Sequence, residues 1–139
     1  MTAKEYLSQA RNLDLEIDAM NMQLVALNAL ATRSTSTLQD VMVCHSRDVH
    51  DRESIYASLI DLNREIDREV DRLVDLKREI MHVIREVEDP VLRNLLNLRY
   101  LCYKSWKEIA TAMHCTKSNV MKYHRQALAA VHVPPSAQD

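Results

Sequence analysis

The sequence predicts an all-α protein: a long antiparallel helical hairpin or coiled coil, followed by a C-terminal helix-turn-helix. Three observations predict it. The 139 residues include no glycine, where about 7% is usual. The prolines are confined to positions 90, 134 and 135, so little interrupts a helix. Apolar residues recur at steps of three and four along two long stretches, the spacing of a single helix face.

The first stretch opens at Thr2, which with Glu5 has the spacing of a capping box. Leu7, Ala10, Leu13, Ile17, Met20, Leu24, Leu27 and Ala31 then form one apolar stripe, predicting a helix of about 30 residues. The polar tract TRSTST at 32–37 and the irregular stretch to His50 predict a loop over about 32–50. A second helix is expected from near Asp51, with Leu59, Leu62, Ile66, Val70, Leu73, Leu76, Ile80, Val83 and Val87 on its stripe. That stripe drifts around the helix near Val70, as a heptad interruption makes it do.

Two such helices, spanning 3–88, bury their stripes either in each other or against a second chain, and the sequence leaves both open. Along DLNREIDREVDRLVDLKRE, the Glu65–Glu69 and Asp67–Asp71 repulsions are offset by Arg64, Arg68 and Arg72. This is a solvated face, or a docking surface for another protein.

Asp89-Pro90 marks the next start, with Asp as N-cap and Pro at the first helical position, where its missing N–H costs nothing. The preceding helix must stop before it. A module is expected over 89–131, and the remaining 132–139 is expected to be an extended, disordered tail. Within the module, Ser105 and Glu108 again have capping-box spacing, so a helix begins at Trp106 with Trp106, Ile109, Ala110 and Met113 facing inward. His114 and Cys115 break the period, and Thr116 supplies a second N-cap oxygen. From Lys117 a second helix places Val120, Tyr123, Ala127 and Leu128 on its inner stripe, leaving Lys117, Ser118, Met121, Lys122 and Arg125 on the open face. Trp106, Ile109, Val120 and Tyr123 are expected to form the small core between the two helices.

Charge favours a nucleic-acid partner for this module. Residues 89–139 carry seven Lys/Arg against three acids, whereas residues 1–88 carry eleven against seventeen. A local basic field on a chain of net charge −2 is the footprint expected where a protein displaces counterions from phosphates.

These same residues carry a resemblance. DPVLRNLLNLRY at 89–100, SWKEIATAMHCT at 105–116 and KSNVMKYHRQAL at 117–128 resemble the C-terminal promoter-reading region of bacterial primary sigma factors and of sigma-like phage regulators. Over the whole chain, KEYLSQA at 4–10 and DLNREIDREVDRLVDLKREI at 61–80 resemble a family of Gram-positive phage and prophage proteins that end in a sigma-like module. Related phage families include late-gene transcription activators, and that role is what the resemblance implies. By position, the sigma factor's DNA-contacting residues fall on Lys117, Ser118, Met121 and Lys122. Met121 stands where sigma factors usually have Arg, so the familiar promoter element is not implied as the target.

The candidate DNA contacts are Lys117, Ser118, Asn119, Met121, Lys122 and Arg125, with Arg93, Lys104 and Lys107 as phosphate clamps. Other chemistries find little support. Without glycine there is no phosphate-cradling loop. Cysteines 44, 102 and 115 are odd in number and widely spaced, which reads as reduced thiols. Cys44-His45 and His114-Cys115 each lack a second ligand at the spacing of a structural zinc site, so neither a metal nor a cofactor is expected. No nucleophile sits in a strained turn, and an enzyme is not expected.

No apolar run is long enough for a membrane span, and no leading apolar segment suggests secretion. The expectation is a cytoplasmic protein of a bacterial host cell, regulating transcription of phage or prophage late genes. Its expected partners are double-stranded DNA, RNA polymerase and a second copy of itself. The alternatives are a small terminase-type DNA-packaging subunit and an interaction protein that binds RNA polymerase or a sigma factor.

Overall fold

The computed structural model describes residues 1–40 and 45–137, with side chains over 1–33 and 52–137. The protein is all-helical, with no strand among the described residues. Five α-helices follow in order: α1 (Ala3–Asp40), α2 (His45–Arg85), α3 (Pro90–Leu96), α4 (Trp106–Ala112) and α5 (Lys117–Ala130). No helix among the described residues is long and apolar enough to cross a membrane.

The N-terminal box of α1 closes in both directions. Thr2 N donates to Glu5 Oε2 at 2.8 Å, and Glu5 N donates to Thr2 Oγ1 at 3.2 Å, satisfying two of the donors a helix start leaves open. The backbone hydrogen bond to Thr2 is the largest of the influences that hold the Glu5 carboxyl below its ordinary range.

The loop expected over 32–50 is largely helix instead. α1 continues to Asp40 and α2 is already formed at His45, while 41–44, with Cys44, lie outside the described residues. Serine and threonine are weak helix formers, not breakers. Thr32 shows how the tract is accommodated, its hydroxyl donating back to the Asn28 carbonyl at 2.9 Å. With neither glycine nor proline in 32–50, nothing forces a stop there.

The chain divides into two compact units, 1–14 with 73–139, and 15–72. In the first unit the start of α1 lies beside the end of α2: Tyr6 Oη donates to Glu79 Oε1 at 3.0 Å, and Lys77 Nζ is 3.8 Å from Asp14 Oδ2. Tyr6, Leu7, Ile80, Ile84, Leu95, Leu96, Ile109 and Val120 are its largest fully buried side chains, each contributing roughly 1.5–3 kcal/mol by burial. α5 packs against both α3 and α4.

In the second unit Ile17, Met20, Ala31 and Ile66 are buried, as their stripes predict. Leu24, Leu27, Leu59 and Leu62 are half-buried, and Val70 is exposed, at the point where the stripe drifts. Leu15 and Met22, which fall on the opposite side of α1 from the buried stripe, and Val25 and Leu30 on its flanks are exposed.

α2 ends at Arg85, and Val87 N bonds to the Ile84 carbonyl at 3.1 Å before the chain reaches Asp89. Asp89 Oδ1 then accepts from Val91 N at 2.9 Å with Pro90 at the helix start, as expected from the sequence. At the other end, the segment 132–137 is not simply extended: Pro135–Ala137 forms a single 3-10 turn.

Candidate nucleic-acid interface

α4 and α5 are joined by a tight turn whose bonding is complete without glycine. Cys115 N bonds to Ala110 O at 3.1 Å and His114 N to Thr111 O at 3.3 Å. This is the paired C-terminal closure of a Schellman motif. His114 occupies the left-handed position that glycine usually fills, at φ 53, with the steric cost that entails. On either side, the two caps predicted from sequence are present. Ser105 Oγ accepts from Glu108 N at 3.2 Å, and Thr116 Oγ1 accepts from Asn119 N at 3.2 Å. The reciprocal half of the Ser105 box is replaced: Glu108 Oε2 lies 3.9 Å from Lys104 Nζ.

What enters α4 is unusual. α3 passes directly into a π-helical turn, Asn97–Leu101, in which Cys102 N reaches the Asn97 carbonyl at 3.0 Å. Tyr103 then reverses the chain in the left-handed region, at φ 58, which is costly for a bulky residue. Lys104 N closes on Leu98 O at 2.9 Å, Arg99 Nη1 donates to Lys104 O at 3.0 Å, and the Lys77 ammonium sits 5.1 Å from the Tyr103 ring centre. These contacts hold the reversal that carries the chain into Ser105.

The core between the helices differs from the expected one. Ile109 and Val120 are fully buried, whereas Trp106 and Tyr123 are only half-buried. The position the sequence stripe gave to Tyr123 is taken by its neighbour His124, 5% exposed. Its Nε2 lies 2.6 Å from Tyr100 Oη, and Trp106 meets its ring edge-on at 4.6 Å between centres. Burial first, then the charges of Lys4 and Arg99, lower the His124 pKa to about 4, so the imidazole is neutral and its Nε2 can accept the Tyr100 proton. Trp106 stays partly open and carries the Arg99 guanidinium 4.3 Å from its ring centre.

Of the candidate DNA contacts, Lys117, Ser118, Asn119, Lys122 and Arg125 are exposed along α5, and Lys104 and Lys107 are exposed on or beside α4. Arg93 is half-buried on α3. Met121 is also half-buried and turns toward Trp106 and His124, where it helps line a cavity. Lys107 and Lys117 converge on one open cleft at the inter-helix turn, with His114 and Thr116 between them. Lys104 and Lys107 share a second shallow hollow, and Lys104 is there engaged with Glu108.

Gln126, overlooked in the sequence, is exposed and stands four residues beyond Lys122, on the same face. That spacing was its only signal. Among the described residues no group of three or more His, Cys, Asp or Glu could hold a metal. Cys102 is exposed and Cys115 half-buried, both as free thiols.

The family described as "Protein of unknown function (DUF1492)" matches residues 32–132. The chain belongs to the DUF1492 family. Neither a curated protein nor a solved structure matches it. The DUF1492 region takes in all of α3, α4 and α5 and stops just beyond α5.

Proposed function

We propose that this chain is a DNA-binding transcription regulator whose α4–turn–α5 segment acts as a helix-turn-helix, with α5 entering the major groove. The single observation that carries the reading is the outward face of α5. Ser118, Asn119, Lys122 and Arg125 all stand exposed on it, beside the Lys107–Lys117 cleft at the turn. Lys and Arg suit guanine O6/N7, and Asn suits the adenine edge. Lys104, Lys107 and Arg93 supply phosphate contacts that set register and orientation. The half-buried position of Met121 moves base reading onto Ser118, Asn119, Lys122 and Arg125.

The sigma-like character of the module, its origin in a phage or prophage and its control of late genes rest on the sequence resemblance. RNA polymerase is the partner that this role implies. Exposed Leu15 and Met22, on one face of α1 two turns apart, favour self-association. A dimeric regulator and a small terminase-type packaging subunit would both use it, and a ring-sized oligomer in solution would favour the latter.

The test is binding of the full chain to a genomic fragment library at low salt, followed by a salt series. Lys122→Ala should weaken binding. If Lys122 contacts phosphate, it should also lower the slope of log K against log salt by about one. If it reads a base, it should cost ~1–3 kcal/mol at one position and leave the slope nearly unchanged. Absence of any affinity for the library at low salt would overturn the reading.

A further inference from the structure

The geometry points to a binding site for a small flat carboxylate, of about the size of benzoate, between the first turns of α1 and the aromatic cluster formed by Tyr100, Trp106 and His124. A cavity of about 180 Å³ lies there. One wall is Lys4, Ser8 and Arg11, whose spacing of i, i+4 and i+7 puts them on one face of α1. Arg99, Trp106 and His124 form the facing wall, with Met121 and Tyr100 completing it.

Three cations line this space and no carboxylate does. Among the described residues, none of Lys4, Arg11 and Arg99 is in an ion pair. After burial, the charges of Lys4 and Arg99 also act to lower the pKa of His124 on the facing wall. Arg99 is already oriented: its guanidinium is stacked on Trp106 and one N–H is committed to the Lys104 carbonyl. Its remaining N–H groups, with those of Arg11, can grip a carboxylate as charge-assisted pairs.

Size and shape select the ligand class. An apolar protein cavity of about 150 Å³ accommodates benzene, so this space suits one ring bearing one carboxylate and is too small for a nucleotide. Half-buried Trp106 and Met121 line the space alongside the cations, so a ligand with an apolar ring beside its carboxylate fits this lining better than a tetrahedral inorganic anion. Met121 lies on α5 next to the exposed face, so occupancy would press on the helix placed in DNA above. That consequence rests on the DNA-binding reading, whereas the site itself does not.

The single Trp of the chain, Trp106, is a built-in reporter. In the ¹⁵N-labelled full chain, the one indole N–H resonance should shift saturably on titration with benzoate. Neutral benzamide and inorganic phosphate should each bind at least about tenfold more weakly, a difference of about 1.4 kcal/mol. The exposed pair Lys4→Gln with Arg11→Gln should lose benzoate binding while keeping the rest of the amide spectrum. No saturable shift with benzoate, equal binding of benzamide or of phosphate, or full benzoate binding by the double variant would each overturn the site. Affinity for DNA is measured separately, so its absence would leave the indole titration to stand or fall alone.

Discussion

Tyr100 and His124, contributed by the π-helical turn and by α5, place their hydroxyl and Nε2 2.6 Å apart in the interior of the C-terminal helices. The pair is buried, and burial raises the Tyr100 pKa and lowers that of His124, so both groups are neutral and each is the other's hydrogen-bond partner. Tyr100→Phe should leave the imidazole unsatisfied and cost ~1–3 kcal/mol, while the Tyr100→Phe/His124→Phe double variant should cost less than the sum of its singles. Urea unfolding of the four proteins measures this coupling.

The same histidine sets an acid limit on stability. Its folded pKa is about 4 against an ordinary 6.5, so as pH falls the unfolded chain takes up the proton first. The contribution is present in full above about pH 6.5 and is lost progressively down to pH 4, by on the order of 3 kcal/mol. Lys4 from α1 and Arg99 from the π-helical turn face the ring and reinforce the effect. A series of unfolding curves from pH 7 to 4 should show this loss, and His124→Phe should flatten it.

His114 holds the left-handed position of the α4–α5 turn at φ 53, where a Cβ is unfavourable by roughly 1–2 kcal/mol. His114→Gly should therefore raise the thermal midpoint despite the entropy that glycine adds to the unfolded chain. His114→Val, β-branched, should lower it.

Ile109 is fully buried and Trp106 only half so. Ile109→Ala should cost ~2–5 kcal/mol, with Trp106→Ala below the ~3–5 kcal/mol expected of a fully buried aromatic. Trp106 emission in the folded protein should lie between that of a buried and that of a water-exposed indole.

Because residues 1–14 share a compact unit with 73–139, deleting them should destabilise the C-terminal helices and not merely shorten α1. Tyr6, Leu7 and Ala10 are buried there. Hydrogen exchange in α4 and α5 should rise in a chain beginning at Leu15. Unchanged protection would show that α3, α4 and α5 are self-sufficient.

Much of the local structure was legible in the sequence, because it depends on neighbours a few residues away. The caps at Thr2, Asp89, Ser105 and Thr116 are contacts over two or three positions, and the buried stripe from Leu7 to Met20 is a matter of helical period. The absence of glycine and interior proline determined an all-helical chain, and it also carried α1 through the serine–threonine tract that reads as a loop. The exposure of Lys122 and Arg125 on α5 was likewise decided by spacing alone.

What the tertiary structure decided depends on residues far apart in the chain. The sequence period on α5 favoured Tyr123 for the interior. His124 is there instead, because Tyr100, 24 residues earlier, is placed by a π-helical turn to satisfy its nitrogen. The inward turn of Met121, the partial exposure of Trp106 under Arg99 and the joining of residues 1–14 to the C-terminal helices have the same origin. Local periodicity tells which side of a helix is apolar, but which side is covered is set by the free energy of packing against whatever the rest of the chain brings beside it.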